Sequence, residues 1–148
     1  MAQAVIISRL ARLRRERGAE LIEFALVLPL ILILLMGIFD FGLAFQRYEV
    51  ITNAAREGAR LGSLEANYTT TDIQNRVNDY VRMAGLPGTA TTTVTDVSLS
   101  VGGVTQAARE VTVTYPHSFS FLGPVLRFVG GSMGTVNLRA RSTMRCCG

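Results

Sequence analysis

The stretch Arg14-Arg15-Glu16-Arg17-Gly18-Ala19-Glu20-Leu21-Ile22-Glu23-Phe24, which runs on through Ala25-Leu26-Val27-Leu28-Pro29 to Phe39, governs how the rest of the chain is read. A basic segment ends at Gly18. From Phe24 to Phe39 sixteen residues carry no charge, and extending the run to Phe45 adds only Asp40. That approaches the ~20 apolar residues needed to cross a hydrocarbon core. The run is hydrophobic on all sides, as lipid requires of a helix. Residues 19–45 therefore read as a transmembrane helix. Pro29 removes one backbone hydrogen bond and crowds the carbonyl of Ala25, which predicts a kink or a loosened turn. Glu20 and Glu23 stand at the mouth of this helix. Deep in hydrocarbon an unpaired carboxylate costs several kcal/mol. At the interface, near a helix N-terminus, negative charge is tolerated.

On the near side of Gly18 lies a basic leader, residues 1–18. Arg9, Arg12, Arg14, Arg15 and Arg17 stand there against one acid, Glu16. The other ten Arg of the chain are balanced by ten acids, so the net charge of +4 belongs to this arm. A basic arm beside an apolar run is a topology signal that keeps the arm on the cytoplasmic side. Nucleic-acid binding is disfavoured, because no basic patch interleaved with aromatics occurs elsewhere.

On the far side of the run, residues 46–65 turn amphipathic. Ile51, Ala54, Ala55, Gly58, Leu61 and Gly62 recur at three- and four-residue steps, while Arg56, Glu57 and Arg60 lie off that stripe. The helix should thus continue beyond the membrane, with a break allowed near Gly58–Ser63 because glycine weakens helix interiors. The small residues of Gly58-x-x-x-Gly62 suit close packing against another helix or against the chain's own sheet. Asp40, with Arg47 seven residues on, is expected at the outer interface or in a subunit contact.

Residues 66–148 read as a small α+β domain. Thr71-x-x-Gln74 fits a capping box. Ile73, Val77, Tyr80, Val81 and Ala84 then form one helical face, stopped by Gly85 and Pro87. Three period-two segments follow: Val97, Leu99 and Val101; Val111, Val113 and Tyr115; and Val136, Leu138, Ala140 and Met144. Gly102-Gly103 marks the first turn and Pro116 the end of the second strand. Residues 119–133 are apolar and Gly-rich, holding a short helix over Val125–Val129 or a loop. The expected fold is α+β: a long N-terminal helix running into a domain of one or two helices and a three-stranded antiparallel sheet.

Chemistry is sparse. The chain has 148 residues, two Cys, one His and no Lys. No metal-ligand spacing and no nucleophile–base pair presents itself, so neither a metal nor another cofactor is implied and an enzyme is disfavoured. His117 is expected to be an ordinary strand-end histidine. Cys146 and Cys147 would lie in an oxidising compartment if the C-terminal domain is exported. A bond between them, inter-chain pairing and free thiols all remain open.

A basic leader, Gly18, four residues, Glu23, an aromatic at Phe24 and an apolar helix resemble the class III signal of type IV prepilins. The form Arg17-Gly18-Ala19-Glu20-Leu21-Ile22-Glu23-Phe24-Ala25-Leu26 resembles the TadE-like minor pilins, or pseudopilins, of the tight-adherence (Tad/Flp) pilus system. Asn53-Ala54-Ala55-Arg56-Glu57-Gly58-Ala59-Arg60 is similar to a segment of that family, as is Ser142-Thr143-Met144-Arg145.

The resemblance implies a type IV pilin-like fold and cleavage by a prepilin peptidase between Gly18 and Ala19. It makes Glu23, with Phe24 and Glu20 beside it, the carboxylate that recruits and registers subunits. It further implies other pilins and pseudopilins of the Tad system, the inner-membrane assembly platform and membrane lipid as partners. The chain would be a single-pass protein of the bacterial inner membrane, with its C-terminal domain periplasmic or carried into the extracellular pilus, serving surface adhesion. Major Flp pilins are tiny and carry Glu-Tyr; Glu23-Phe24 and the large C-terminal domain favour a minor component. The competing reading is a secreted or membrane-anchored soluble binding domain. Gly42-x-Ala44 has the small residues of a signal-peptidase I site, and a cut after Ala44 would free it.

Overall fold

The computed structural model describes residues 2–64, 68–128, 130–132 and 134–145, with side chains from Gly18 onward except those of residues 101 and 128. The side chains of Arg9, Arg12, Arg14, Arg15 and Arg17, and the whole of Cys146 and Cys147, lie outside this description. Two compact units divide between Phe39 and Asp40.

The first unit is helical throughout its described length. It belongs to α1 (Ala2–Leu64), a helix that runs through Pro29 without interruption. From Leu21 to Phe39 most of its large apolar side chains are exposed. Leu21, Leu26, Leu30, Leu34 and Phe39 are all more than half exposed. In water such a surface would cost roughly 1.5–3 kcal/mol per side chain. This is a helix made for an apolar solvent, and residues 18–64 hold the one membrane-spanning candidate among the described residues.

The second unit is α+β, as expected. After α1 come α2 (Thr70–Met83), β1 (Thr91–Val101), β2 (Val104–His117), α3 (Leu122–Phe128) and β3 (Val136–Arg145). The three strands pair antiparallel in the order β1-β2-β3. The β1–β2 hairpin turns at Gly102-Gly103, where both residues take positive φ (61° and 81°), a region open to glycine at little cost. Pro116 does not end β2, which continues to His117. By then β1 has stopped pairing, at Thr114, so the missing N–H costs no ladder bond on that side.

The core forms where the second half of α1 and α2 meet the middle of the sheet. Ile51, Ala54, Ala55 and Ala59 from α1, Ile73, Val77 and Val81 from α2, and Val111, Val113, Tyr115 and Ala140 from the sheet are buried together. Gly58 and Gly62 show why the helix stripe is small. A Cβ on Gly58 would lie 2.7 Å from Val77 Cγ2 and 3.3 Å from Val111 Cγ1, and one on Gly62 would lie 2.8 Å from Arg109 Cδ. Their close approach thus serves the chain's own α2 and sheet. The helix shows no break near Gly58–Ser63 and is described as far as Leu64.

Three further local expectations need correction. The capping box of α2 is Thr69 with Asp72, not Thr71 with Gln74: the Asp72 carboxylate accepts from the Thr69 N–H at 2.9 Å and from its hydroxyl at 2.6 Å. A carboxylate at that position also complements the helix dipole, which an amide does less well. The Thr tract before Thr95 belongs to β1, with Thr92 buried and Val94 half-buried opposite Val113 and Val111. The strand is therefore longer than Val97–Val101, and its core face lies earlier. Finally, α3 begins at Leu122, three residues ahead of Val125, with Pro124 in its first turn where a missing N–H is harmless.

Candidate functional site

The cleavage and registry residues sit on the first unit. Gly18, Ala19, Glu20, Glu23 and Phe24 all lie on helix α1. Ala19, Glu20, Glu23 and Phe24 are exposed, and Phe24 keeps 59% of its surface. Glu20 follows Ala19 directly and Glu23 stands one turn along, so the carboxylates and the start of a mature chain would share one end of the helix. A Cβ on Gly18 would meet nothing within 4 Å, so glycine there answers no packing need in this chain.

A second constellation opens the other unit, and only part of it was foreseen. Asp40 is fully buried. Its Oδ1 accepts from the Ser120 N–H at 2.9 Å and the Phe121 N–H at 3.1 Å; its Oδ2 accepts from the Phe121 N–H at 3.1 Å and the Leu122 N–H at 2.7 Å. All are backbone donors, and both oxygens act as acceptors, which suits an ionised carboxylate. The Phe121 and Leu122 N–H groups are among those that the start of α3 leaves without intrahelical partners, and Ser120 lies just ahead of them. Asp40 therefore caps α3 from a helix eighty residues away.

Arg47 and Asp40 lie seven residues apart on α1, and both reach the same incoming segment. Arg47 Nη1 donates to His117 Nδ1 at 2.8 Å. With Nδ1 accepting, the proton of a neutral ring sits on Nε2. That nitrogen is buried and has no partner among the described residues. Burial, and then the Arg47 charge, push the His117 pKa below its ordinary value; the Asp40 carboxylate pulls the other way. Phe119 stacks edge-on against both His117, at 5.1 Å between centroids, and Phe41, at 6.2 Å. Beside this cluster lies an open apolar groove of about 440 Å³, lined by Phe41, Ala44, Phe45 and Tyr48 of α1 and by His117, Phe119, Val136 and Leu138.

A third contact ties α1 to α2. Glu57 accepts from Arg60 and from Arg76, both at 2.8 Å. The hydrogen bonds from Arg60 and Arg76 hold its carboxyl down at about 2. No group of three or more His, Cys, Asp or Glu side chains among the described residues is placed to hold a metal ion.

An exposed apolar N-terminal helix followed by a small α+β unit fits a class: proteins with a single-pass membrane anchor and one folded unit. Within that class, residues 18–60 match the model of the TadE-like protein family. The matched stretch opens at Gly18, contains Glu20, Glu23, Asp40 and Arg47, and ends at Arg60, just past Gly58 and Ala59 of the buried small-residue stripe. It bears out the resemblance over those residues. No curated protein and no solved structure matches the chain.

Proposed function

We propose that the chain is a minor pilin or pseudopilin of a tight-adherence pilus, a structural subunit with no catalytic role. In this reading a prepilin peptidase cuts between Gly18 and Ala19. Residues 19–45 then anchor the protein in the inner membrane with the arm cytoplasmic, 46–65 extend the helix, and 66–148 form a periplasmic domain. Other pilins and pseudopilins, together with the inner-membrane assembly platform, are its partners. The observation that carries the reading is the TadE-like match that starts at Gly18 on an exposed apolar helix.

The chemistry supports it. A cut after Gly18 removes the leader with its excess of positive charge and creates an α-ammonium on Ala19. Glu23, one turn along, then complements the ammonium of a neighbouring subunit. In an apolar bundle such a pair is selective, because removing one partner strands a buried charge at a cost of roughly 3–5 kcal/mol. The competing cut after Ala44 is opposed by Asp40. It would take away the acceptor of every hydrogen bond at the start of α3, and Phe41 from the groove wall.

The test is assembly at matched expression. Glu23→Ala is expected to leave processing and membrane insertion intact while depleting the protein from pili or from complexes with other pilins. Glu20→Ala should be milder. Equal assembly by wild type and Glu23→Ala, both fully processed, would mark Glu23 as an ordinary interfacial residue and remove the registry role.

A further inference from the structure

Asp40 follows directly on Phe39, the last residue of the uncharged run. Whatever Asp40 holds is therefore held where the apolar helix ends. It holds the backbone of Ser120, Phe121 and Leu122. The segment so tethered reads Ser118-Phe119-Ser120-Phe121-Leu122-Gly123-Pro124-Val125-Leu126-Arg127-Phe128, with Arg127 its one charge. Its apolar content is only partly used inside the fold. Phe121 keeps 46% of its surface exposed, and Val136, across the groove, keeps 47%. Phe41 and Phe45, on the α1 wall of the same groove, are 63% and 64% exposed. A domain meant to stand clear in water would not present this much aromatic and aliphatic surface at the root of its anchor. Aromatic side chains around a membrane–water boundary, with an Arg beside them to reach headgroups, match the chemistry of the interface.

We propose that residues 119–128 form a second membrane contact, an interfacial wedge. In it Phe121 and the groove edge at Phe41, Phe45 and Val136 enter the outer carbonyl and upper acyl region of the same bilayer that the helix spans. Asp40 sets the depth of this wedge by fixing the start of α3 to α1. The occupant of the apolar surface is lipid, because the surface is continuous in sequence with the span and is tied to its last residues. The inference rests on the reading of 19–45 as a membrane span, and its test keeps the two apart.

The chain has no Trp, so single Trp reporters can be placed without background. The full chain is reconstituted at high dilution in phosphatidylcholine–phosphatidylglycerol vesicles, with lipid brominated either near the carbonyl end or at the middle of the acyl chain. Leu32→Trp reports the span and Val104→Trp, at the start of β2, reports water. Phe121→Trp and Val136→Trp report the wedge, so a misfolded variant of one is checked by the other. The expected result is that both wedge reporters shift to the blue and lose most of their emission to bromine near the carbonyls, and lose less to mid-chain bromine. Leu32→Trp should show the opposite order and Val104→Trp no quenching. Quenching of Leu32→Trp with none at Phe121 and Val136 would overturn the wedge while leaving the span. Blue-shifted wedge reporters that bromine does not quench would assign the surface to a second protein copy and likewise overturn it. An unquenched Leu32→Trp would remove the span itself, and the wedge with it.

Discussion

Asp40 caps the start of α3, and a substitution there should be felt across the second unit. Asp40→Ala removes the acceptor for three successive backbone N–H groups. Leaving buried donors unpaired sets a cost of roughly 3 kcal/mol. Asp40→Asn should cost less, since its carbonyl oxygen still accepts, but it turns an NH₂ towards other donors. Denaturant unfolding in detergent should rank wild type, Asn and Ala in that order of stability; equal midpoints would show that the contacts carry no net energy. His117 supplies a pH signature. Its folded pKa lies below the ordinary 6.5 because burial and Arg47 favour the neutral ring. Its contribution is therefore present above about 6.5 and is lost as pH falls through the lowered folded value. Thermal stability should decline on acidification from neutrality, and His117→Gln, which can still accept from Arg47, should flatten that decline. An unchanged slope in the variant would assign it to other groups. The sequence offered only half of this cluster. A lone Asp in a stretch otherwise free of charge from Phe24 to Phe45 marked a position of interest. Its partners are backbone amides eighty residues on, and backbone donors leave no signature in residue type.

At the scale of elements, the stripe on α1 was readable because it was periodic. Ile51, Ala54, Ala55 and Gly58 recur as a helix face should, and they are the residues, with Ala59, at the core contact. The same periodicity gave α2, β2 and β3. At β1 it found Val97–Val101 but not the earlier half of the strand, where the core-facing positions are Thr92 and Val94 and a threonine tract carries no apolar alternation to detect. The α2 cap was misplaced as well, because two Thr–acceptor pairs overlap within six residues and only the geometry selects Thr69 with Asp72. What glycine at 58 packs against was invisible in the sequence and yields a prediction. Gly58→Ala must displace Val77 and Val111 within a filled core. Overpacking costs about 1–3 kcal/mol, against the ~1 kcal/mol that Ala gains in helix propensity. A net loss of stability is expected. Gly62→Ala meets the flexible Arg109 stem and should be better tolerated; the reverse order in melting temperature would contradict this packing. Glu57 adds an acid limit. With its carboxyl held at about 2 against an ordinary 4.5, its stabilising effect is present above about 4.5 and is lost as pH falls towards 2. Glu57→Gln should reduce the stability difference between pH 5 and pH 2.5, and a variant with an unchanged difference would show that the link to Arg60 and Arg76 does not stabilise the fold.

For the whole molecule, the proposed role asks for one anchor and one folded unit. In that reading the basic arm stays cytoplasmic by the positive-inside rule. A reporter enzyme fused after Gly148 should be active only on the periplasmic side, and activity on the cytoplasmic side would reject the topology. The central claim is that this chain is a prepilin-type substrate, and it is tested most directly by the first residue of the mature protein. N-terminal sequencing of the membrane-extracted protein, from cells with and without their prepilin peptidase, should give Ala19 in the first case and the uncut chain in the second. A mature chain starting at Phe45, or a Gly18–Ala19 bond left intact in cells that hold the peptidase, would contradict it.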